Sequence, residues 1–217
     1  LQDCSDLSNA SSTSINIITN LTNNIKNHPY EYVDNKESLY SAISEMSLYN
    51  ELAVDLEHHS IHTYLGMTCL IQISTRDKDY ILDVIALKTD PTFATGNGTG
   101  TSTTNSSISN ISSSPNPNPN PNPNSYALQE LNKVFCDPNI VKIFHGCNHD
   151  ILWLQRDCGI YVVNCFDTYQ ACIELEYKSQ SLSSLLKKYV HYDASKQYQL
   201  SDWRIRPLKN ELISYAR

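Results

Sequence analysis

The stretch LAVDLEHHS, residues 52–60, decides the fold. Its first six residues, 52–57, are apolar except for two acids that stand two positions apart, Asp55 and Glu57. In an extended strand alternate side chains leave opposite faces, so both carboxylates share one face while Val54 and Leu56 point to the other. Neighbouring carboxylates repel each other unless a cation lies between them. The stretch therefore predicts a strand whose acidic face either holds a cation or forms a solvent-facing edge.

Regular elements alternate on both sides of this strand. Residues 67–75 and 79–84 are predicted strands, and the charged turn between them favours a hairpin. Further strands are predicted over 140–144 and 160–163, and helices over 36–50, 127–135, 149–158, 168–177 and from Ser181 onward. The order predicts an α/β sandwich on a mixed sheet, with antiparallel early strands and later strands reached through helices.

Two compositional breaks divide the chain. Residues 1–27 are rich in Ser, Thr and Asn without a sustained period, and we interpret them as a loosely ordered arm. Residues 96–125 are almost entirely Gly, Thr, Ser, Asn and Pro, and such a segment cannot bury enough apolar surface to order itself. We therefore expect one domain over 28–217, interrupted by a low-complexity insertion over 88–125.

Overall composition excludes several classes of protein. The 217 residues carry a net charge of −7, which argues against non-specific coating of nucleic acid but not against an enzyme that gathers carboxylates on metal ions. Seven cysteines without a CxxC pair favour reduced thiols over a disulfide framework. No apolar run approaches about 18 residues, so no membrane partner is expected.

Asp150 is the candidate third carboxylate. It opens the helix that follows strand 140–144, where it would meet the strand acids at the end of a neighbouring strand. A carboxylate in a first helical turn also stabilises the helix by itself, and that explanation stays open. Oxygen-rich sites suit Mg²⁺ or Mn²⁺, and two such ions can stabilise both oxygens of a phosphodiester cleavage.

Several nearby side chains are candidate substrate contacts. His58 directly follows the acids, and Trp153 stands three residues after Asp150, where it would either stack on a base or fill the core. A basic and aromatic stretch begins at Lys196 and fits a nucleic-acid path. A zinc site is the rival hypothesis for the histidines, although their spacing matches no standard zinc pattern; they are His58, His59, His62, His145 and His149.

Four long strings carry a resemblance to a known family. They are AVDLEHHS (53–60), CLIQISTRDKDYILD (69–83), KIFHGCNHDILWLQRDCGIYVVNCFDTYQA (142–171) and the segment 196–217 that ends in ELISYAR. The chain resembles the DEDD-type 3′→5′ exoribonucleases, and within them the nuclear exosome exonuclease subunit family, with ribonuclease D more distant.

The resemblance implies a ribonuclease-H-like mixed sheet flanked by helices and a site with two Mg²⁺ ions, with Mn²⁺ as a substitute. It implies release of 5′-mononucleotides from single-stranded RNA 3′ ends, association with the nuclear exosome core, and a location in the nucleus and nucleolus. Residue by residue, it implies metal ligands at Asp55, Glu57 and Asp150, a water-positioning phenol at Tyr215, and nucleotide contacts at His58, Trp153 and Lys196.

The third motif of the family is a tyrosine followed, after three residues, by an aspartate. Here the tyrosine is Tyr215 and the sequence ends at Arg217, so we expect a domain incomplete at its C-terminus and weak or inactive alone. The alternative from another class is a non-catalytic RNA-binding or scaffold subunit that keeps the fold. A DNA exonuclease of the same superfamily is the third possibility.

Overall fold

The computed structural model describes residues 28–61, 64–93 and 126–217. The predicted arm over 1–27 lies outside the described residues, as does the predicted insertion except for residues 88–93.

The described residues form one six-stranded mixed sheet. Its order is β1-β4-β3-β2-β5-β6, so the acidic strand β2 lies inside the sheet. Strands β2, β3 and β4 pair antiparallel, while the β1–β4, β2–β5 and β5–β6 pairs are parallel. The strands are β1 (Tyr30–Val33), β2 (Glu51–His59), β3 (Met67–Ser74), β4 (Asp79–Asp83), β5 (Val141–Phe144) and β6 (Cys165–Asp167). The predicted mixed sheet and its early hairpin are confirmed.

Helices flank the sheet, and three of those in the described residues begin at the following capping residues. Asn35 starts the first helix with a capping box to Ser38, Asp167 caps the sixth through Tyr169 N, and Ser181 caps the seventh. The α-helices are α1 (Lys36–Met46), α2 (Val84–Thr89), α3 (Tyr126–Gln129), α4 (Asn132–Phe135), α5 (Asn148–Trp153), α6 (Thr168–Glu174), α7 (Leu182–Tyr189) and α8 (Asn210–Tyr215). A 3₁₀ turn covers Pro91–Phe93, and a π-helical turn, Leu154–Cys158, continues α5.

The predicted strand over 160–163 is wrong. Its backbone bonds go to helix α4 instead of the sheet: the side chain of Asn132 accepts from Tyr161 N at 2.8 Å, and Phe135 O accepts from Val163 N at 2.9 Å. Asn164 then takes a left-handed conformation, with φ of 57°, and pairing with β5 begins at Cys165. Strand β1 and helix α2 were not predicted, and the single helix expected over 127–135 is divided into α3 and α4.

Two apolar clusters cover opposite faces of the sheet. The larger one packs α1, α2 and α4 against the sheet and includes Leu52, Val54 and Leu56 of β2. The smaller one packs the C-terminal segment against β3 and β4 and contains Cys69, Leu70, Ile81, Trp203, Leu208, Leu212 and Ala216. Because the C-terminal segment covers only part of its face, the acidic side of β2 borders an open cleft.

The buried ion pair between Arg206 and Asp83 fastens the C-terminal segment to the sheet. The Arg206 guanidinium also donates to Trp203 O at 2.7 Å and to Cys69 O at 3.3 Å, while Tyr32 donates its hydroxyl to Asp83 at 2.5 Å. Burial by itself would raise the pKa of Asp83, but the hydrogen bonds from Arg206 and Tyr32 outweigh it and hold that pKa below its ordinary value.

Replacing Asp83 tests this fastening. Asp83→Asn keeps an oxygen for the backbone N–H groups of Ile85 and Ala86 but loses the charge that pairs with Arg206. We expect the free energy of unfolding, measured with urea, to fall by about 3 kcal/mol. The exposed Asp193 supplies the control, because Asp193→Asn should leave stability unchanged.

The pH dependence gives a second check on the same variant. Because the folded-state pKa of Asp83 lies below its ordinary 3.8, the carboxylate contributes its stability above that value and loses it as the pH falls through the folded pKa. The stabilities of the wild type and Asp83→Asn should therefore converge in acid. An unchanged difference down to acid pH would contradict the assignment.

Candidate active site

Strand β2 places Asp55 and Glu57 on the floor of a cleft of about 650 Å³. Val54 and Leu56, between and behind them, are buried in the larger apolar cluster, as the alternation of a strand requires. Strand β2 is not an edge strand of the sheet: β3 pairs with it over Ala53–His59 and β5 over Glu51–Ala53, so the two acids lie where the β5 pairing has ended and the cleft begins.

The two acids of β2 are difficult to ionise together. Burial and, to a smaller extent, the charge of Asp55 raise the pKa of Glu57 to about 8, and a hydrogen bond from the Gln72 amide acts in the opposite direction. Asp55 keeps accessible surface toward the cleft but is enclosed by protein on its other sides, so burial raises its pKa as well. Its own bond from Leu56 N and the nearby His145 offset part of that rise.

Asp150 joins the pair from helix α5. Burial, together with the charges of Asp55 and Asp167, raises its pKa to about 7, so Asp150 interacts electrostatically with the β2 acid. The helix start is fixed from outside: Asp167 accepts from Gly146 N at 2.8 Å and from Cys147 N at 3.1 Å. Asp167, instead of Asp150, therefore supplies the acceptor at the start of α5.

Tyr215 reaches the cleft from helix α8. Its ring packs near Trp203, with 5.9 Å between ring centroids, and near Tyr198 at 5.8 Å. Burial raises the pKa of the phenol, and the charges of Glu57 and Asp55 raise it further. The phenol is therefore a neutral hydroxyl that faces two carboxylates.

His58 and Trp153 stack on each other beside the acids. Their ring centroids are 3.9 Å apart and the planes differ by 6°. A bulge after Glu57 turns this end of β2, and Arg156 donates to His58 Nε2 at 3.2 Å and to Leu65 O at 2.7 Å. Trp153 also packs against the larger apolar cluster, so it belongs to the core and to the rim of the site together.

Lys196 lies apart from this group. It is exposed, between two residues that line the cleft, Ser195 and Gln197. The structure thus brings together Asp55, Glu57, Asp150 and Tyr215, with the His58–Trp153 pair adjacent and Lys196 at the rim. Their functional roles remain predictions.

No three His, Cys, Asp or Glu side chains converge tightly enough to hold a metal ion within residues 28–61, 64–93 and 126–217. The zinc hypothesis gains no support there, and His62 lies outside the described residues. The acids of the cleft nevertheless offer only oxygen donors, and their charges oppose one another. This donor chemistry fits a hard divalent cation such as Mg²⁺ or Mn²⁺.

Sequence reasoning did not identify Gln72 and Thr168 as cleft residues, and it considered His145 only as a zinc ligand. Gln72 lies directly opposite Asp55 in the β2–β3 register. The strand pattern of β3 was predictable, but its register against β2 depends on the bulge after Glu57, which no sequence signal marked.

Comparison with known proteins assigns the fold to a family. A family model described as a 3′–5′ exonuclease matches residues 30–217. The chain belongs to this family. The six-stranded mixed sheet with flanking helices is therefore an exonuclease fold, as the resemblance implied.

Comparison with individual proteins shows which members of the family the chain is similar to. The chain is 40% identical over 193 residues to exosome complex component 10 of Homo sapiens. The aligned region covers 89% of this chain and 18% of that protein. It is 39% identical over 186 residues to the exosome complex exonuclease RRP6 of Saccharomyces cerevisiae, covering 86% of this chain and 20% of that protein. The chain thus spans about a fifth of the length of these relatives.

Solved structures agree. The catalytic core of RRP6 from Trypanosoma brucei superposes with a TM-score of 0.68 at 34% identity, over 88% of this chain and 43% of that chain. Escherichia coli RNase D shares the fold at 18% identity, with a TM-score of 0.60 over 86% of this chain and 40% of that chain. Among the described residues, no helix combines the length and apolar character that crossing a membrane requires.

The His58–Trp153 stack depends on Gly66, and two glycine variants test this. A Cβ on Gly66 would lie 2.0 Å from His58 Cε1, whereas one on Gly146 would meet open space. Both glycines have positive φ, so each alanine variant should lose about 1 kcal/mol of stability to backbone strain. Only Gly66→Ala should displace His58 and change the fluorescence of Trp153.

The matched variant Gly146→Ala separates strain from displacement. The second tryptophan, Trp203, is buried in the smaller cluster and should contribute equally to both spectra. The same fluorescence change in both variants, or in neither, would show that Gly66 does not maintain the stack.

Proposed function

We propose that this chain carries the active-site part of a 3′→5′ exoribonuclease, which hydrolyses RNA 3′ ends to 5′-mononucleotides. The observation that best supports this proposal is the group of acids at the cleft. Asp55 raises the pKa of both Glu57 and Asp150, and Tyr215 faces the β2 acids. Two acids on the cleft floor and a third that interacts with them repel one another when ionised, and cations with a phosphate-bearing substrate would relieve that repulsion. Similarity to exosome complex component 10 and to RRP6 supports RNA as the substrate.

Asp55, Glu57 and Asp150 would hold two Mg²⁺ ions, with Mn²⁺ as a substitute. When bound, the ions would supply the positive charge that stabilises the attacking and leaving oxygens of the phosphodiester. The family's fourth carboxylate would follow just after Arg217. We therefore expect full activity only when the chain continues past that residue.

The remaining residues would position the reactants. Because the phenol of Tyr215 stays neutral, it would hold the attacking water by a hydrogen bond instead of removing its proton. The stacked His58–Trp153 pair would offer an aromatic face to the terminal base, and Lys196 would reach a phosphate from the rim.

Partners and location extend the proposal further. Single-stranded RNA 3′ ends and the nuclear exosome core are the proposed partners, and support for the second comes from the exosome components among the relatives. The nucleus and nucleolus as location rest on the family resemblance alone.

The first experiment follows 5′-labelled single-stranded RNA in Mg²⁺, with this chain and with a version extended past Arg217. We expect a ladder that shortens from the 3′ end, strongest with the extended protein. Asp55→Asn should reduce the rate about 1,000-fold without loss of RNA binding, since it removes charge needed in the transition state. Glu51→Gln is the matched control on β2, because Glu51 pairs with Arg76 away from the acids, and it should retain the rate.

Three other outcomes of this hydrolysis experiment would contradict the proposal. Undiminished hydrolysis by Asp55→Asn would overturn the assigned role of that carboxylate. RNA that is bound but never shortened, even by the extended protein, would favour the scaffold alternative. Preferential shortening of DNA 3′ ends would favour a DNA exonuclease.

Removing the metal tests the carboxylates independently of catalysis. A chelator should abolish hydrolysis, and Mg²⁺ or Mn²⁺ should restore it. An ion at 100 times its dissociation constant stabilises the folded state by about 2.7 kcal/mol, so Mn²⁺ should raise the thermal midpoint of the wild type and of Glu51→Gln. An equal rise in Asp55→Asn would show that the ion binds elsewhere.

A further inference from the structure

The hydrogen bonds around His145 fix where its proton lies. The Thr168 hydroxyl stands 2.8 Å from the carbonyl oxygen of Phe144, which can only accept, so the hydroxyl donates its single proton there. His145 Nδ1 lies 2.9 Å from the same hydroxyl oxygen. Since that oxygen has no proton left to give, Nδ1 must be the donor.

This arrangement leaves the other ring nitrogen as an acceptor. A neutral imidazole with its proton on Nδ1 carries a lone pair on Nε2. The ring of His145 is half-buried and lines the cleft that holds the β2 acids. Strand β5 pairs with β2 at Ile143 and Ala53, and His145 and Asp55 each follow two residues later, so the imidazole lies level with Asp55.

The chemistry of the cleft limits what Nε2 can bind. Carboxylates that hold a cation offer no proton, and the oxygens of a phosphodiester are acceptors too. At the 3′ end of an RNA, the donors nearest the reacting phosphate are the ribose hydroxyls. An acceptor nitrogen on the cleft wall beside Asp55 is therefore matched to the sugar, not to the phosphate.

We infer that His145 is a substrate-contacting residue whose Nε2 accepts a hydrogen bond from a ribose hydroxyl of the 3′-terminal nucleotide. Thr168 is a positioning residue that acts through His145, because its hydroxyl holds the ring with Nε2 free. This inference rests on the proposed function, since it requires an RNA 3′ end in the cleft.

The test measures binding without hydrolysis. Short 5′-fluorescent RNAs that end in ribose, in a 2′-deoxy sugar or in a 3′-deoxy sugar are titrated at pH 8, with Ca²⁺ in place of Mg²⁺. The wild type should bind the ribose end about 5-fold more tightly than the end that lacks the contacted hydroxyl. His145→Asn keeps an N–H for Thr168 but has no Nε2, and it should bind both ends equally.

Thr168 provides a second pair of variants. Thr168→Val removes the acceptor for Nδ1 and should reduce the preference for the ribose end, whereas Thr168→Ser should restore it. His28→Asn, at a histidine that pairs with Asp79, should keep the wild-type preference. Urea unfolding of each variant identifies any that fail to fold.

Several outcomes would overturn the inference. A folded His145→Asn that keeps the preference, or that weakens all three RNAs equally, would exclude a ribose contact; the second result would indicate a phosphate contact. A wild type that binds all three ends equally would also exclude it. A wild type that binds none of the RNAs would contradict the proposed function itself.

Discussion

The position of strand β2 inside the sheet is the constraint on which the site depends. Pairing with β3 and β5 fixes its register, and a slip of one residue would expose Val54 and Leu56, whose burial contributes about 2 kcal/mol each. The strand therefore cannot turn Asp55 and Glu57 away from each other. Core packing on one face maintains charge repulsion on the other.

The C-terminal segment closes the opposite side of the cleft by a separate interaction. Arg206 binds Asp83 at the end of β4 and the carbonyl of Cys69 on β3, so the segment is joined to two strands at once. Trp203 and Leu212 then pack on the sheet, and Tyr215 reaches the cleft from the helix they hold. The ion pair between Arg206 and Asp83, which stabilises the fold, thus also helps to set the position of the Tyr215 hydroxyl.

Sequence patterns were sufficient where a feature is local. The alternation around Asp55 predicted the acidic face, and the helix starts at residues 36 and 168 and after Ser181 were predicted because capping depends on a few adjacent residues. Strand 160–163 was wrong because its hydrogen bonds go to α4, a partner that no local pattern reveals. Strand β1 was missed for the same reason, since it is an edge strand defined by its pairing with β4.

In the site, too, local features could be predicted from the sequence and features that depend on strand pairing could not. The β2 acids and Asp150 were predicted from their positions and from a family resemblance, but the parts contributed by pairing were not. Gln72 donates to Glu57 only because the register puts β3 residues opposite β2 acids. His145 is oriented by Thr168, which lies 23 residues away in sequence. Contacts of this kind require the fold before they can be seen.

Asp167 links the geometry of the site to its charge. One carboxylate accepts from Gly146, Cys147 and Tyr169, and so it fixes both the start of α5 and the start of α6. The same negative charge raises the pKa of Asp150. The residue that places Asp150 therefore also makes it harder to ionise. Because placement and repulsion have one source, the repulsion can be relieved by protonation of Asp150, which its raised pKa favours, or by the cation that we propose for the cleft.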